Sequence, residues 1–345
     1  MSTLSEIAKL AGVSKMTVSN VLNGRSKEAW PSSAERANQI RQIAERLQYR
    51  PNAAAKAIAQ GRFNNVAMVM GQTAQYMPDG LLRGAAQALA ERDMSLTITE
   101  LPDAKLTNQG FVPKMLRELS SDGLLINYIS NVPEAMERLL RSNHIPSAWI
   151  NIKGPTDCVY PDDEAGARAA TEHLLQLGHR RIAFVGGTGE GHYSDADRRG
   201  GYEATMRAAG RRPQVVAATT AAWRKDMTPA STDTRLSACA ALLASADRPT
   251  AVLAAEPDYA QPLMYAAALA GLAVPRDLSV ITFADWVPDG LGVFCGFMHI
   301  SMTKVGATAV RLLAEKLENP AVTLPSVAVP LTLHVGQTVA PPRDR

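Results

Sequence analysis

Apolar residues recur at intervals of three and four along the first fifty residues, which is the spacing of helices with one buried face. Two short blocks, at residues 4–11 and about 15–22, are separated by Gly12, a residue type that favours the left-handed backbone at a helix end. Ser14 can cap the second helix by accepting a backbone N–H bond. The predicted helix-turn-helix unit buries Leu4, Ile7, Ala8, Ala11, Val18, Val21 and Leu22.

A third amphipathic helix is predicted over residues 33–48, with Ser33 as its N-cap. Pro51 ends that helix, Asn52 can cap a new one, and the alanine-rich stretch through Ala59 is prone to form a helix. The inward positions of the third helix are Ile40, Ile43, Ala44 and Leu47.

Beyond about residue 63, short apolar runs alternate with helical stretches. This alternation predicts right-handed βαβ units, with a parallel sheet covered by helices on both faces. The length of residues 63–345 suits two α/β lobes. Strands are predicted at 66–70, 95–99, 123–126, 148–150, 181–185, 215–217, 251–253 and 279–283. Helices are predicted within 82–92, 112–119, 133–142, 165–177, 199–209, 237–245 and 261–269.

Charge separates the two parts of the chain. Residues 1–62 hold ten Lys or Arg against four Glu, a balance of +6, whereas the remainder has 26 basic and 29 acidic residues, a balance of −3. A basic head attracts phosphate, and its binding to DNA weakens as salt is added. The modest charge of the remainder argues against a second nucleic-acid surface.

The polar side of the second helix holds Lys15, Met16, Thr17, Ser19 and Asn20. In a helix-turn-helix the second helix enters the major groove with its N-terminal residues on base edges. Asn20 could pair with adenine and Lys15 with guanine, whereas Met16 offers only apolar contact, as to a thymine methyl. Each also has an ordinary interpretation, as a solvated lysine, a core methionine or a capping asparagine. We predict Lys15, Met16 and Asn20 as the base-reading residues.

These motifs resemble the head of the LacI/GalR family of bacterial transcriptional regulators. The family pattern Val-Ser-x-x-Thr-Val-Ser-x-Val-Leu-Asn is matched at 13–23, and its Tyr-x-Pro-Asn pattern at 49–52. The resemblance implies double-stranded operator DNA as the partner. The DNA-binding residues predicted in this way are Ser14, Lys15, Met16, Thr17, Ser19, Asn20, Asn23, Tyr49, Asn52, Ala55, Lys56 and Ile58.

The resemblance further implies that residues 53–59 form a hinge helix when a dimer binds its operator. Ile58 stands where the family usually inserts a leucine between base pairs, and an apolar wedge of this kind kinks DNA. Ile58 is β-branched and therefore stiffer at χ1. The alternative is an alanine-rich linker with one buried isoleucine. The predicted division is a helix-turn-helix DNA-binding domain at 1–50, a hinge helix at 51–62 and a two-lobed effector-binding and dimerisation domain at 63–345.

The segment between the second and third helices, residues 25–32, is longer than the usual turn of the family. We assign no function to this insertion. Trp30 within it is interpreted as a cover for the core of the head.

The body matches the family at 162–166, 172–186 and 271–280. The resemblance implies a periplasmic-binding-protein-like pair of lobes with parallel sheets, an effector in the cleft, and three crossings of the chain between the lobes. The first lobe is expected to hold roughly 63–160 and 288–325, and the second lobe the rest. Ligands of such sheets bind beyond the carboxyl ends of the strands.

The match is weaker at the effector site. Arg198 corresponds to an arginine with which the family holds a polar ligand, and a guanidinium suits hydroxyl or carboxylate oxygens. Two polar anchors differ: the family's Ala-Asn-Asp-Asp reads 255–258 as Ala-Glu-Pro-Asp, and Ala284 stands where an aspartate is common. These changes put a standard neutral hexose in doubt. The predicted effector-binding residues are Gln72, Asn151, Ser194, Arg198, Glu256 and Asp285, with His192, Tyr193, Trp223 and His299 as further cleft candidates.

Enzymatic and metal-binding motifs fail on spacing. The glycine-rich stretch 186–191 lacks the third glycine of a dinucleotide fingerprint because His192 stands there, and no Gly-Lys-Ser/Thr follows. His173 and His179 lack HExxH spacing, so we expect no metal and no cofactor. Cysteines 158, 239 and 295 are scattered, which indicates reduced thiols in the cytoplasm. The absence of a signal peptide or long apolar span argues against a secreted receptor and against a membrane partner.

The sequence thus predicts an effector-responsive, sequence-specific DNA-binding regulator, a repressor of a catabolic operon that responds to a sugar or sugar acid. By resemblance, the effector changes the angle between the lobes and separates or melts the hinge helices. In some relatives a corepressor reverses the sign. The chain has no leucine heptad tail, so we expect a homodimer. The competing interpretations are a small-molecule binding protein whose head has lost DNA function, and an enzyme.

Overall fold

A computed structural model of the chain describes residues 2–24, 26, 30–50, 61–71, 78–118, 120–127, 132–187, 192–217, 229–289 and 292–343. The chain divides into two units, Met1–Phe63 and Asn64–Arg345. Each unit has its own hydrophobic core: one core cluster lies within the first unit and three within the second.

The first unit contains helices α1 (Leu4–Ala11), α2 (Lys15–Leu22) and α3 (Pro31–Arg46). Gly12 adopts the expected left-handed conformation, with φ of 66°, and donates its backbone N–H to the carbonyl of Ala8. The predicted buried stripes are confirmed at their centres, while their outer members, such as Leu4 and Ala11, are half-buried. The core consists of Ile7, Ala8, Val18, Val21, Ala37, Ile40, Ile43 and Ala44.

The predicted start of α3 is wrong by two residues. The helix begins at Pro31, a residue type favoured in the first turn because its missing N–H needs no partner there. Trp30 is the N-cap residue, and the Ser33 hydroxyl accepts its N–H at 3.2 Å from within the first turn. The side chain of Trp30 is 74% exposed, so it does not cover the core of the head.

The first lobe of the second unit is built on a six-stranded parallel sheet with the strand order β11-β5-β4-β3-β1-β2. Its strands are β1 (Asn65–Gly71), β2 (Ser95–Leu101), β3 (Gly123–Asn127), β4 (Ser147–Ile150), β5 (Cys158–Pro161) and β11 (Val327–Val329). The helices of this part of the chain are α4 (Asp79–Ala90), α5 (Asp103–Leu106), α6 (Lys114–Arg117), α7 (Glu134–Ser142) and α12 (Met302–Glu318).

The second lobe is built on another six-stranded sheet with the order β12-β10-β9-β8-β6-β7, parallel except for the β10–β12 pair. Its strands are β6 (Ile182–Gly186), β7 (Gln214–Ala217), β8 (Ala251–Ala254), β9 (Ser279–Ala284), β10 (Gly296–His299) and β12 (Thr332–His334). Its helices are α8 (Asp163–Gln176), α9 (Tyr193–Ala208), α10 (Pro229–Ala244) and α11 (Pro257–Leu269).

The chain crosses between the lobes three times, after β5, after β10 and after β11, as expected. The expected return to the first lobe near residue 288 is wrong, because β10 pairs with β9 in the second sheet. The first lobe regains the chain only at α12 and keeps it through β11. The short strands β5, β10, β11 and β12 and the helices α5 and α12 were not predicted.

Candidate functional site

Helix α2 is held at both ends by its own side chains. The Ser14 hydroxyl accepts the Thr17 backbone N–H at 3.1 Å and lies 2.9 Å from the Thr17 hydroxyl, so Ser14 is the N-cap as predicted. At the other end, the Asn23 amide donates to the Ser19 carbonyl at 2.8 Å. These bonds fix the helix that the sequence assigns to the major groove.

The predicted base readers present side chains with no partner among the described residues. Lys15 and Met16 are exposed, Met16 by 69%, while Ser19 and Asn20 are half-buried. No hydrogen bond or ion pair holds the Lys15 ammonium or the Asn20 amide within the described part of the chain. Val18 and Val21 on the opposite side are buried in the head core, so these polar groups lie on the accessible side of α2.

The predicted hinge residues Asn52, Ala55, Lys56 and Ile58 lie outside the described residues. Tyr49, which precedes them, is half-buried and packs against the core of the head. Its backbone N–H donates to the carbonyl of Ala44 at 2.8 Å. Tyr49 therefore anchors the chain to the head where the alanine-rich segment begins.

In the second unit, Arg198 on α9 lies at the carboxyl ends of the second-lobe strands. Its side chain is 6% exposed, and its Nε donates to Asp163 Oδ1 at 2.7 Å. Its Nη1 donates to the carbonyl of Ala255 at 2.7 Å and lies 4.0 Å from Glu256 Oε1. The guanidinium also stands 4.7 Å from the centre of the Phe283 ring. The arginine predicted to hold a ligand is thus already paired within the protein.

His192 connects the two lobes at the same end of the sheets. Its Nδ1 accepts the backbone N–H of Ser194 at 3.3 Å and lies 2.8 Å from the Ser194 hydroxyl. Its Nε2 donates to the carbonyl of Asn151 at 3.0 Å, across from the second lobe to the first. The Tyr193 hydroxyl donates to Asn151 Oδ1 at 3.4 Å. Asn151, Ser194 and His192, all predicted cleft residues, therefore come together.

A second link between the lobes is ionic. The Lys153 ammonium, which follows β4 in the first lobe, lies 2.8 Å from Asp197 on α9 and 3.9 Å from Glu164 on α8. The hydrogen bond to Asp197 raises the pKa of Lys153 above its ordinary value, against the opposing effect of burial. The cleft is therefore bridged by a salt bridge as well as by an imidazole.

The remaining predicted effector residues are placed less closely together. Glu256 is the N-cap residue of α11, beside Arg198, and Asp285 follows β9. Burial lowers the pKa of His299 below its ordinary value, and the nearby charge of Asp285 opposes this shift. His299 packs edge-on against the Phe297 ring at 5.9 Å. Gln72 and Trp223 lie outside the described residues.

Sequence reasoning missed two carboxylates at this site. Asp163, which begins α8, is 1% exposed on its side chain and forms the ion pair with Arg198. Asp195 lies one helical turn before Arg198 on α9 and is half-buried. An i, i+3 spacing places side chains on one helix face, and this signal could have singled out Asp195. The pairing of Asp163 with Arg198 joins residues far apart in the chain, and no local pattern reveals it.

Other chemistry is limited in the described part of the chain. No group of three His, Cys, Asp or Glu there could hold a metal ion, and no helix there is long and apolar enough to cross a membrane. All three cysteines are buried and free. His179 is a structural residue, since its ring nitrogens lie 2.9 Å from the Thr250 hydroxyl and 2.9 Å from the Ala340 carbonyl.

Two family models match this chain. The model for bacterial regulatory proteins of the lacI family matches residues 3–52, which contain the three head helices. The model for a periplasmic binding protein-like domain matches residues 171–339. The matches coincide with the head and with most of the second lobe and the C-terminal part of the first.

Similar proteins cover nearly the whole chain. A probable HTH-type transcriptional repressor, ExuR, of Bacillus subtilis (strain 168) is 30% identical over 294 residues, which is 83% of this chain and 82% of that protein. Catabolite control protein A of Priestia megaterium is 26% identical, over 97% of this chain and 98% of its own. The lac repressor dimer bound to operator and the anti-inducer ONPF superposes with a TM-score of 0.76, at 21% identity over 98% and 99% of the two chains.

A helix-turn-helix head joined to a two-lobed α/β body defines a DNA-binding transcriptional regulator with a ligand-binding body. The match to the regulatory head and the relative at 30% identity make the assignment specific. The chain belongs to the LacI family of bacterial regulatory proteins.

Proposed function

We propose that this protein is a repressor that binds a near-palindromic operator as a homodimer in the cytoplasm. A small polyhydroxylated effector of the sugar or sugar-acid type binds between its lobes and changes operator affinity. Relatives named as transcriptional repressors support the direction of control. The lac repressor structure, a dimer on operator DNA, supports the assembly.

The observation that carries the DNA-binding proposal is the state of α2. Its ends are fixed by Ser14 and Asn23, its inner side is buried, and the Lys15 ammonium and Asn20 amide have no partner among the described residues. Side chains held in position without a partner are ready to bond base edges in the major groove. Thr17 and Ser19, with hydroxyls on the same helix, are proposed to bond the DNA backbone.

The effector is proposed to contact the cleft ends of the second-lobe strands. Ser194, Arg198, Glu256 and Asp285 lie at or next to these ends, where ligands of parallel sheets bind, and Asn151 follows β4 of the first lobe opposite them. Binding there would change how His192 and Lys153 join the lobes. We propose that this movement acts on the hinge segment, where Ile58 is the wedge into the minor groove.

Operator selection tests the DNA-binding function. The purified full-length protein is incubated with a pool of random duplexes, and bound sequences are amplified and read. We expect a two-fold symmetric site, with affinity that falls steeply between 50 and 200 mM salt, by roughly 10³-fold or more. The Lys9→Ala variant serves as the control for charge alone, because it removes one positive charge from an exposed position on α1 and leaves the proposed reading residues of α2 unchanged.

An enriched pool without sequence preference would contradict the proposal. It would favour the alternative that the chain is a small-molecule binding protein with an inactive head. Turnover of any compound that binds the cleft would favour an enzyme instead.

A further inference from the structure

The effector cleft contains more negative than positive side chains around Arg198. This balance of charge bears on whether the cleft favours an anionic, a neutral or a cationic effector. We propose that the effector carries a cationic group, as a protonated amino sugar does, and that Asp195 and Asp163 bind it. The inference deepens and rests on the proposed function, because it names the ligand class of the same cleft.

The Nη2 group of Arg198 has no hydrogen-bond partner among the described residues and can meet an effector hydroxyl, but the guanidinium as a whole is a poor principal receptor for a carboxylate. Its Nε and Nη1 are used by Asp163 Oδ1 and the Ala255 carbonyl, both at 2.7 Å, and Glu256 lies 4.0 Å away. The guanidinium is fixed over the Phe283 ring. A buried ion pair with a further carboxylate nearby offers no net positive charge, so an arriving acid would gain little attraction here.

Asp195 has a carboxylate with no hydrogen bond or ion pair among the described residues. The residue is half-buried on α9, and its Oδ2 lies 3.3 Å from the position that a Cβ on Gly187 would occupy. The Tyr259 hydroxyl lies 3.4 Å from that same position. Asp195 therefore stands beside the glycine that follows β6, at the ligand-binding end of the sheet.

Asp163 provides the second observation. Its Oδ1 receives Arg198, but its Oδ2 is buried and has no hydrogen-bond partner among the described residues. Burial raises the pKa of this carboxyl, the Arg198 charge opposes that rise, and the charges of Asp197 and Asp195 add to it. An orphaned buried acceptor is destabilising, and a ligand that donates an N–H bond would satisfy it.

The electrostatics and shape of the neighbourhood favour an ammonium group. Five carboxylates, those of Asp163, Glu164, Asp195, Asp197 and Glu256, accompany three cations, Lys153, Arg168 and Arg198. The rings of Tyr160 and Tyr193 meet edge to face at 5.8 Å beside them. Aromatic faces bind sugar rings and cations, and a net negative cluster repels a uronate. No three His, Cys, Asp or Glu side chains of the described chain are arranged to hold a metal ion.

Calorimetric titration of the full-length protein with matched ligands tests the inference. The probes are D-glucosamine and D-galactosamine, their neutral parents D-glucose and D-galactose, and the corresponding uronates, all at one pH and ionic strength. We expect at least one amino sugar to bind tenfold or more tightly than its parent, and the uronates to bind more weakly than the parents.

Variants locate the charge effect. Asp195→Asn is expected to lower amino-sugar affinity at least tenfold and to change neutral-sugar affinity less than threefold. Asp247→Asn, an exposed carboxylate outside the cluster, is the matched control and should change neither. Circular dichroism of each variant checks that the fold is kept.

Amino sugars that bind no better than their parents, including no detectable binding at 20 mM, would overturn the inference. Equal losses for neutral and amino sugars in Asp195→Asn would overturn it as well. Operator binding that responds to a neutral sugar or a uronate in the same samples would leave the proposed function intact while this inference fails. An absence of sequence preference when the wild-type protein binds DNA would instead refute the proposed function.

Discussion

Two groups of polar residues differ in their surroundings: those without a partner in the described part of the chain, and those that are buried and paired within the fold. The proposed base readers Lys15 and Asn20 have no partners among the described residues, and Lys15 is exposed whereas Asn20 is half-buried. Arg198 and Asp163 are buried and paired, so each offsets the charge of the other. His179 is buried with a bond to each ring nitrogen and serves the fold.

Asn20→Ala should relax base preference at one position of each half-site. The amide would bond adenine bidentately, and its loss costs about 1–3 kcal/mol of discrimination against the wrong base. Affinity measured on a panel of single-base operator variants reports the change. Lys56→Ala, if it meets phosphate, should weaken all sequences evenly and lower the salt slope by about one. Identical effects of both substitutions on every operator would contradict the assignment of Asn20.

His179 should make the second lobe less stable in acid. Burial lowers its pKa below the ordinary value of 6.5, opposed by the bond to Ala340, so between the folded and unfolded pKa the unfolded chain binds the extra proton. The contribution of the neutral His179 imidazole to the free energy of unfolding is complete above pH 6.5. It is lost as the pH falls below 6.5, and the free energy of unfolding then changes by up to about 1.4 kcal/mol per pH unit.

Urea unfolding from pH 5 to pH 8 measures this dependence, with His179→Gln as the comparison and NMR titration of the imidazole as a direct check. A His179 midpoint at or above 6.5, or an unchanged pH slope in His179→Gln, would rule the explanation out.

At the scale of elements, close helix packing positions the cleft residues. Helices α8 and α9 carry Asp163 and Arg198, and they approach so closely at Gly201 that an added Cβ would lie 2.3 Å from the carbonyl oxygen of Glu164. The neighbouring Gly200 faces open space. Substitution of Gly201 therefore tests the packing of α9 against α8, whereas substitution of the adjacent Gly200 tests helix propensity alone.

Gly201→Ala should destabilise the protein by about 1–3 kcal/mol, because the new methyl group meets backbone that has to move. Gly200→Ala, the matched control, should stabilise it by about 0.5–1 kcal/mol through the helix preference of alanine. Chemical unfolding of both variants gives the two signs. If both substitutions shifted stability in the same direction, the close approach of α8 and α9 would not be the cause.

At the scale of the whole molecule, the two units have separate cores. Ile40 is fully buried in the head cluster, and Leu253 is fully buried in the cluster of the second lobe. Neither cluster includes residues of the other unit. The molecule is therefore expected to unfold in more than one step.

Ile40→Ala should lower the head transition and leave that of the body unchanged, at a cost of about 2–5 kcal/mol to the head. Leu253→Ala, the reciprocal control, should lower only the body transition. Scanning calorimetry resolves the two, and operator DNA should raise the head transition in the wild type. A single endotherm that both substitutions shift equally would show that the units unfold together.

Local patterns predicted much of this architecture for a physical reason. Periodicities of two and 3.6 residues are properties of short segments, so the bounds of α2, the position of β1 and the left-handed Gly12 follow from neighbouring residues. Helix α3 begins at Pro31 rather than after the expected cap Ser33, because proline is favoured in the first turn of a helix. The strand β10 was not predicted because Gly296 and His299 leave only two apolar residues in it, whereas β8, of the same length, is apolar throughout.

By itself, the sequence determined the helix-turn-helix head, the alternation that produces two lobes, and membership of the LacI family, since each rests on local spacing or on motif identity. Only the tertiary structure decided which sheet takes β10, that Trp30 faces solvent, and that Asp163 neutralises Arg198 across 35 positions of the chain. Such pairings depend on where folded elements meet. The same meeting of elements sets the charge around Arg198, on which our proposal for the effector rests.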